Sequence, residues 1–329
     1  MRGAPRLAVL IPCRNEAAAI GGVVAGFRTA LPEAAIHVYD NNSTDETRAV
    51  AAAAGATLGS ERLPGKGNVV RRMFADIEAD LYLLVDGDGT YDPATAPAMV
   101  RMLLEQRLDM VTGIRVASAE AAYRPGHRLG NRVLTGMVRL VFGKRVSDVL
   151  SGYRCFSRRF VKSFPALATG FETETEFTVH ALELRLPVGE LPTAYRERGV
   201  GSISKLHTWR DGLRILRTIV RLIQRERPLL FFGTLGLAFL LLSAGFFLPV
   251  FGTYLETGLV PRLPTFLASV AFLLLSFLSG ACGLILDTVT QGRREAKRIA
   301  YLAIPAPGAE TIAAPAYSDS SKPAARMAG

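Results

Sequence analysis

The sequence predicts an α/β fold, a mostly parallel sheet with helices on both faces, followed by a two-helix membrane hairpin. Three observations predict it. Apolar runs alternate with helical stretches through the N-terminal two-thirds of the chain, the pattern of βαβ units. Two carboxylates one residue apart, Asp86 and Asp88, directly follow one such run, and open α/β sheets place their ligands at strand carboxyl ends. No charged residue occurs from Pro228 to Leu255 or from Leu263 to Leu286. As helices these stretches would be ~36–42 Å long, enough for a ~30 Å hydrocarbon core.

Leu7–Ile11, Ala35–Tyr39, Leu81–Val85 and Met110–Ile114 read as buried strands. Helical stretches lie near Ala17–Thr29, Glu46–Ala54, Asn68–Glu78 and Pro93–Gln106. The polar break Asn41–Asp45 supplies Ser43, Thr44 or Asp45 as a cap for the helix that follows. Leu7–Ile11 is too short for a signal peptide and runs into Pro12. Glu172, Glu174 and Glu176 alternate just before a helix over Phe177–Leu186.

From His207 to Glu226, Trp209, Leu213, Leu216, Val220 and Ile223 recur at spacings of four and three beside a track of arginines. This reads as an interfacial amphipathic helix; the alternative is a helix packed on the preceding domain with a solvated basic face. The predicted organisation is a domain over 1–206, an interfacial helix over 207–227, a membrane hairpin over 228–287, and a basic flank with a disordered tail over 288–329. Pro, Ala and Ser dominate from Ile304 onward.

The formal net charge is +10. Much of the excess flanks the apolar stretches: Arg210, Arg214, Arg217, Arg221, Arg225 and Arg227 before them, and Arg293, Arg294, Lys297 and Arg298 after. Membrane contact rather than nucleic acid explains that placement. The Lys/Arg bias puts both flanks, and so both termini and the large domain, on the cytoplasmic side. Cys13, Cys155 and Cys282 are far apart in sequence and fit a reducing compartment. The four histidines show no metal-ligand spacing, so no zinc site is expected.

Two carboxylates at ~4 Å repel by roughly 4 kcal/mol at an effective dielectric of 20. A divalent cation removes that repulsion, and Mg²⁺ takes one or two carboxylates together with substrate phosphates. The plain alternative for Asp86 and Asp88 is an acidic turn ending a strand. Four other segments ask for a common explanation with Asp86-Gly87-Asp88: Ile11–Glu16, Val38–Thr47, Pro64-Gly65-Lys66-Gly67-Asn68, and Asp148-Val149-Leu150-Ser151-Gly152-Tyr153-Arg154.

Together the five segments resemble glycosyltransferase family 2, the inverting sugar-nucleotide enzymes of GT-A fold, over about residues 5–206. The 148–154 segment, the run Arg198–Leu206 and the hairpin narrow the resemblance to polyprenyl-phosphate glycosyltransferases, the subgroup that includes dolichol-phosphate mannose synthase and undecaprenyl-phosphate hexose transferases. The resemblance implies a Rossmann-like GT-A domain that transfers a hexose from GDP-mannose or a UDP-sugar to polyprenyl phosphate with Mg²⁺ or Mn²⁺. It also implies roles for matching residues. Pro12, Asn15, Glu16 and Asp40 would line the base and ribose pocket, although Asn15 and Glu16 also suit a helix cap and first turn. Asn41 and Asn42 depart from the family's usual acid and glycine. Lys66 would balance nucleotide charge, or lie in a flexible turn. Asp86 and Asp88 would hold the metal. Asp148 would orient the nucleophile, and Arg154 would grip the lipid phosphate in a planar fork; a plain Asp148–Arg154 ion pair is the alternative. Arg128 and Glu174 would face the acceptor. Arg198, Ser204 and Lys205 would sit on a loop closing over the diphosphate, or in a linker with incidental charge. The rival functions are transfer to a polysaccharide or glycolipid acceptor, and a non-catalytic scaffold that binds sugar nucleotides. Either a monomer or a homo-oligomer is compatible with the sequence.

Overall fold

Both faces of the central strands are apolar, and the fold follows from covering both. The computed structural model describes residues 5–117, 147–170, 172–196 and 224–306, with 136 and 220 in addition. In β1 (Leu7–Cys13), Val9 and Ile11 enter one core layer while Ala8 and Leu10 enter the other. In β4 (Leu81–Leu84), Leu81 and Leu83 divide in the same way from Tyr82 and Leu84. Side chains alternate across a strand, so burial on both sides demands a continuous apolar run.

One layer is covered by α1 (Ala17–Ala30) and α4 (Ala96–Glu105) through Ile20, Val24, Phe27, Met99 and Leu103. The other is covered by α3 (Lys66–Asp76) through Met73 and Phe74, with Phe160 of α5 (Arg158–Ser163) and Phe177 of α6 (Thr173–Glu183). The remaining elements are β2 (Ala35–Asp40), α2 (Thr47–Ala53), β3 (Thr57–Ser60), β5 (Met110–Ala117), β6 (Arg154–Ser157) and β7 (Val188–Tyr195). The seven strands lie in the order β3-β2-β1-β4-β6-β5-β7. All neighbours run parallel except β6, which is antiparallel to both β4 and β5. This is the mostly parallel α/β sheet the sequence predicts. β3, β6 and β7 are additional strands that the apolar pattern does not reveal.

Two long helices follow, α7 (Pro228–Thr257) and α8 (Leu263–Leu302). Both are long and apolar enough to cross a membrane, and only 11% and 17% of their most apolar windows are buried. A core helix of a soluble domain would hide that surface instead. The two helices are joined by hydrogen bonds from Ser243 Oγ to Ser269 O (2.8 Å) and from Ser276 Oγ to Gly236 O (2.9 Å). The interfacial helix over 207–227 lies mostly outside the described residues, as does the tail beyond 306.

The division expected at residue 287 falls inside α8, which continues unbroken for another 15 residues and docks on the α/β domain. Arg294 and Lys297 clamp the buried carboxylate of Glu183 at 3.1 and 2.6 Å. Tyr301 donates its hydroxyl to Asp109 Oδ2 at 2.8 Å beneath the guanidinium of Arg159, 4.7 Å from the ring centre. Part of the basic flank therefore serves protein contacts rather than lipid. Glu183→Gln should loosen the join by about 1–3 kcal/mol, because a neutral amide leaves both cations without their counter-charge. Thermal unfolding of the full chain, with amide exchange along α8, checks this.

Candidate active site

β1 lies between β2 and β4, and the chain leaves it toward opposite edges of the sheet. Such a switch point opens a crevice at the strand carboxyl ends. It brings together Pro12 to Glu16, Asp40 to Thr47 and Asp86 to Asp88. The first two segments are stitched to each other. Asn15, at φ 53°, accepts from Thr44 N at 2.8 Å, and its own N–H donates to Ser43 Oγ at 2.9 Å. The N–H groups of Glu16 and Ala17 donate to Thr47 Oγ1 (2.9 Å) and Asp45 Oδ2 (3.2 Å). Asn15 thus braces two loops, a role that its helix-cap and base-pocket readings both leave out. Asp40 is buried and accepts from Ser43 N.

The departures at 41 and 42 have structural reasons. The Asn41 amide donates to Glu61 O (2.9 Å) and Leu63 O (2.8 Å) and accepts from Gly65 N (2.7 Å). A carboxylate could not make the two donations. Asn42 occupies the left-handed region at φ 62°, which asparagine, after glycine, tolerates better than most residues.

Asn41 holds the loop that delivers Lys66. Its flanking glycines are there for protein packing: a Cβ at Gly65 or Gly67 would strike the carbonyl oxygens of Thr169 or Ala168. The Lys66 ammonium is buried between Asp86 Oδ1 and Glu174 Oε1, the second at 2.5 Å. Burial opposes its charge, but the two carboxylates outweigh burial and hold its pKa above the ordinary lysine value. Glu174, expected at the acceptor, is only 4% exposed and faces Lys66 instead. Glu176 caps the 166–170 loop by accepting from Leu167 N and Ala168 N.

Gly152 backs this cluster. A Cβ there would run into the Asp86 carboxylate and come within 3.1 Å of Lys66 Nζ. Gly152→Ala should therefore displace Asp86 and lower turnover by about tenfold or more at a stability cost of about 1–3 kcal/mol. The readout is activity against divalent-ion concentration, with the midpoint moving upward.

Asp148 is buried and pairs with Arg115 of β5 in a two-pronged bond, 2.8 Å from Nε and 2.7 Å from Nη2. Burial works against its charge, yet Arg115 prevails and keeps the carboxyl below its usual range. The Asp148–Arg154 ion pair weighed from sequence is therefore not the one formed among the described residues: Asp148 pairs with Arg115 of β5. Arg154 is fully buried. It donates to Ser151 O (2.9 Å), Val149 O (2.7 Å) and Thr178 Oγ1 (2.9 Å) and lies 5.7 Å from the centre of the Phe177 ring. Burial pushes its pKa down to about 10. A guanidinium so committed offers no fork to a lipid phosphate; it ties the 148–152 loop to α6. Tyr91, which the sequence does not signal, accepts from Gly152 N at 2.9 Å and packs its ring tilted against Tyr153 and edge-on against Tyr195.

Arg128, Arg198, Ser204 and Lys205 lie outside the described residues. Among the described residues no group of three or more His, Cys, Asp or Glu forms a metal cage. Asp86 and Asp88 offer two hard carboxylates beside the crevice; the Asp86 side chain is 31% exposed, while Asp88 is steadied by Thr90 Oγ1 at 2.7 Å. That donor set fits Mg²⁺ or Mn²⁺ completed by substrate phosphate oxygens.

A seven-stranded sheet of this order with paired acids at its switch point has the GT-A-like architecture of nucleotide-sugar transferases. Residues 8–164 match the family described as Glycosyl transferase family 2. Glycosyltransferase AglJ of Haloferax volcanii is 36% identical over 236 residues, spanning 70% of this chain and 76% of that protein. The dolichyl-phosphate hexose transferase of the same organism is 26% identical over 222 residues, spanning 67% and 95%. The structure of Mycobacterium tuberculosis glucosyl-3-phosphoglycerate synthase with Mn²⁺ and UDP-glucose shares the fold, at a TM-score of 0.56 and 23% identity over 67% of this chain and 79% of that one. The chain belongs to glycosyltransferase family 2.

Proposed function

We propose that the protein transfers a hexose from a nucleotide-sugar donor to polyprenyl phosphate at a membrane surface, with inversion at the anomeric carbon. The observation that carries the acceptor class is α8. This helix is apolar over most of its length and ends by clamping Glu183 on α6, the same helix that brings Glu174 to the Lys66–Asp86 cluster. A site tied in this way to an apolar hairpin meets acceptors dissolved in the bilayer, and the dolichyl-phosphate hexose transferase relative supports the same class.

Asp86 and Asp88 would hold Mg²⁺ or Mn²⁺, which when bound supplies positive charge for the departing diphosphate. The glucosyl-3-phosphoglycerate synthase with Mn²⁺ and UDP-glucose supports that choice of cofactor and donor class. A phosphate oxygen of the lipid attacks the anomeric carbon as the bond to the diphosphate breaks. An α-linked donor then gives a β-linked lipid-phosphate sugar and a nucleoside diphosphate. The lipid phosphate is already ionised near neutral pH, so positioning outweighs general-base work. Asp148, kept ionised by Arg115, orients the acceptor side rather than taking a proton. Pro12, Glu16 and Asp40 contribute to the nucleoside pocket, and Arg128, Arg198, Ser204 and Lys205 contact the acceptor and diphosphate. The hairpin spans the membrane with the domain on the cytoplasmic side.

The test is full-length protein with polyprenyl phosphate, Mn²⁺ or Mg²⁺, and a panel of UDP- and GDP-sugars. The expected product is a sugar joined to polyprenol through one phosphate. A growing sugar chain or a glycolipid lacking that phosphate would overturn the acceptor. Sugar-nucleotide binding without turnover would favour the scaffold.

A further inference from the structure

We infer that Lys66 is an exchangeable counter-ion of the metal-binding carboxylate Asp86, and that Glu174 is the positioning residue that holds Lys66 aside when a divalent cation takes its place. The inference deepens the metal-dependent reading above and rests on it.

Three observations carry it. The Lys66 ammonium already touches both carboxylates, Asp86 Oδ1 and Glu174 Oε1, so a change of partner requires no travel across the site. The second oxygen of Glu174, Oε2, is buried with no hydrogen-bond partner in the structure. An ammonium has three donors, and Glu174 therefore keeps an acceptor in reserve for the one that Lys66 withdraws from Asp86. The backbone beneath Lys66 is also tightly packed. Gly65 and Gly67 pack against the Thr169 and Ala168 carbonyls, and Glu176 holds the N–H groups of Leu167 and Ala168. Adjustment at Lys66 therefore falls to its side chain.

Charge balance gives the arrangement its sense. Lys66, Asp86 and Glu174 together carry one net negative charge. When a cation engages Asp86, the lysine charge beside it becomes repulsive. The Lys66 side chain is only 9% exposed, so water cannot take over as its partner. Among the described residues the carboxylates paired with Lys66 are Asp86 and Glu174. Glu174 thus lets the lysine give up Asp86 and remain neutralised. Without it, Lys66 stays on Asp86 and opposes the cation. In the absence of donor and metal, the same lysine keeps Asp86 compensated and in place.

The test measures Mn²⁺ affinity by electron paramagnetic resonance of free Mn²⁺, on full-length protein in detergent, with UDP and separately with GDP. Glu174→Gln should weaken Mn²⁺ binding by about tenfold or more. Adding Lys66→Met to Glu174→Gln should restore wild-type affinity, since the competing ammonium is gone; this second variant also guards against simple misfolding of the first. Lys66→Met alone should bind Mn²⁺ at least as tightly as wild type. Unchanged affinity in Glu174→Gln, or no recovery in the double variant, would overturn the inference and leave the transferase reading standing. A Glu174 that acted on the acceptor would instead lower kcat with Mn²⁺ affinity unmoved. Wild-type protein that bound no Mn²⁺ with either nucleotide would remove the metal-dependent reading itself, and this inference with it.

Discussion

Asp86→Asn and Asp88→Asn should each lower turnover by roughly a thousandfold or more while leaving the α/β domain folded. The departing nucleoside diphosphate carries concentrated charge, and fixed positive charge at such a position is commonly among the largest single contributions to rate. Both residues sit at the end of β4, whose four strand residues are fully buried, so the amides would be presented in the same place without the negative charge. The two variants should differ in detail. At position 86 the change removes one partner of Lys66, but Glu174 retains the ammonium and the cluster becomes neutral. At position 88 an amide can still accept from Thr90 Oγ1, so the turn survives. The readouts are the rate of nucleotide release, its dependence on Mn²⁺ or Mg²⁺, and thermal unfolding. Near-native turnover of either variant, or full activity of wild type in excess chelator, would overturn the metal role.

How much of this was legible in the sequence differs from element to element. β1 and β4 are readable because burial on both faces leaves unbroken apolar runs, and β2 and β5 because mostly apolar residues flank a single His37 or Thr112. β6 is not: it has four residues, begins with Arg154, and owes its place to antiparallel pairing with strands that precede it by dozens of residues. β3 is mostly exposed and carries Gly59 and Ser60, so it lacks a strand's apolar signature. At the site, the paired acids and the glycine-flanked lysine stand out by type and spacing. Their partners do not. Lys66 meets Asp86 twenty positions away, and Asp148 meets Arg115 across 33, separations with no local pattern. The three alternating glutamates show the same limit. Once α6 begins at Thr173, Glu174 and Glu176 lie about 200° apart around its axis, and only packing determines that the first meets Lys66 while the second caps a loop. The basic flank beyond the hairpin reads as lipid-facing by composition, yet Glu183 and Asp109 claim part of it.

Arg154→Lys should destabilise the domain by about 2–4 kcal/mol, and this outcome separates two readings of the same residue. Sequence resemblance makes Arg154 a clamp for the lipid phosphate. In that case lysine would raise KM for the acceptor and leave unfolding unchanged. The structure instead buries the guanidinium among Ser151 O, Val149 O, Thr178 Oγ1 and the Phe177 ring. An ammonium on a flexible stem cannot reproduce that fork, and each buried carbonyl left unpaired costs about 1–3 kcal/mol. For a domain of this size the expected fall in Tm is roughly 5–15 °C. Activity should fall as well, for an indirect reason: the loop that Arg154 ties down carries Asp148 at one end and Gly152, against Asp86, at the other. Loosening it disturbs Asp148 and Asp86 together, so kcat should drop with donor and acceptor alike at saturation. Unchanged Tm with a selective rise in acceptor KM would return Arg154 to the lipid phosphate and require the 148–154 loop to rearrange when the acceptor binds.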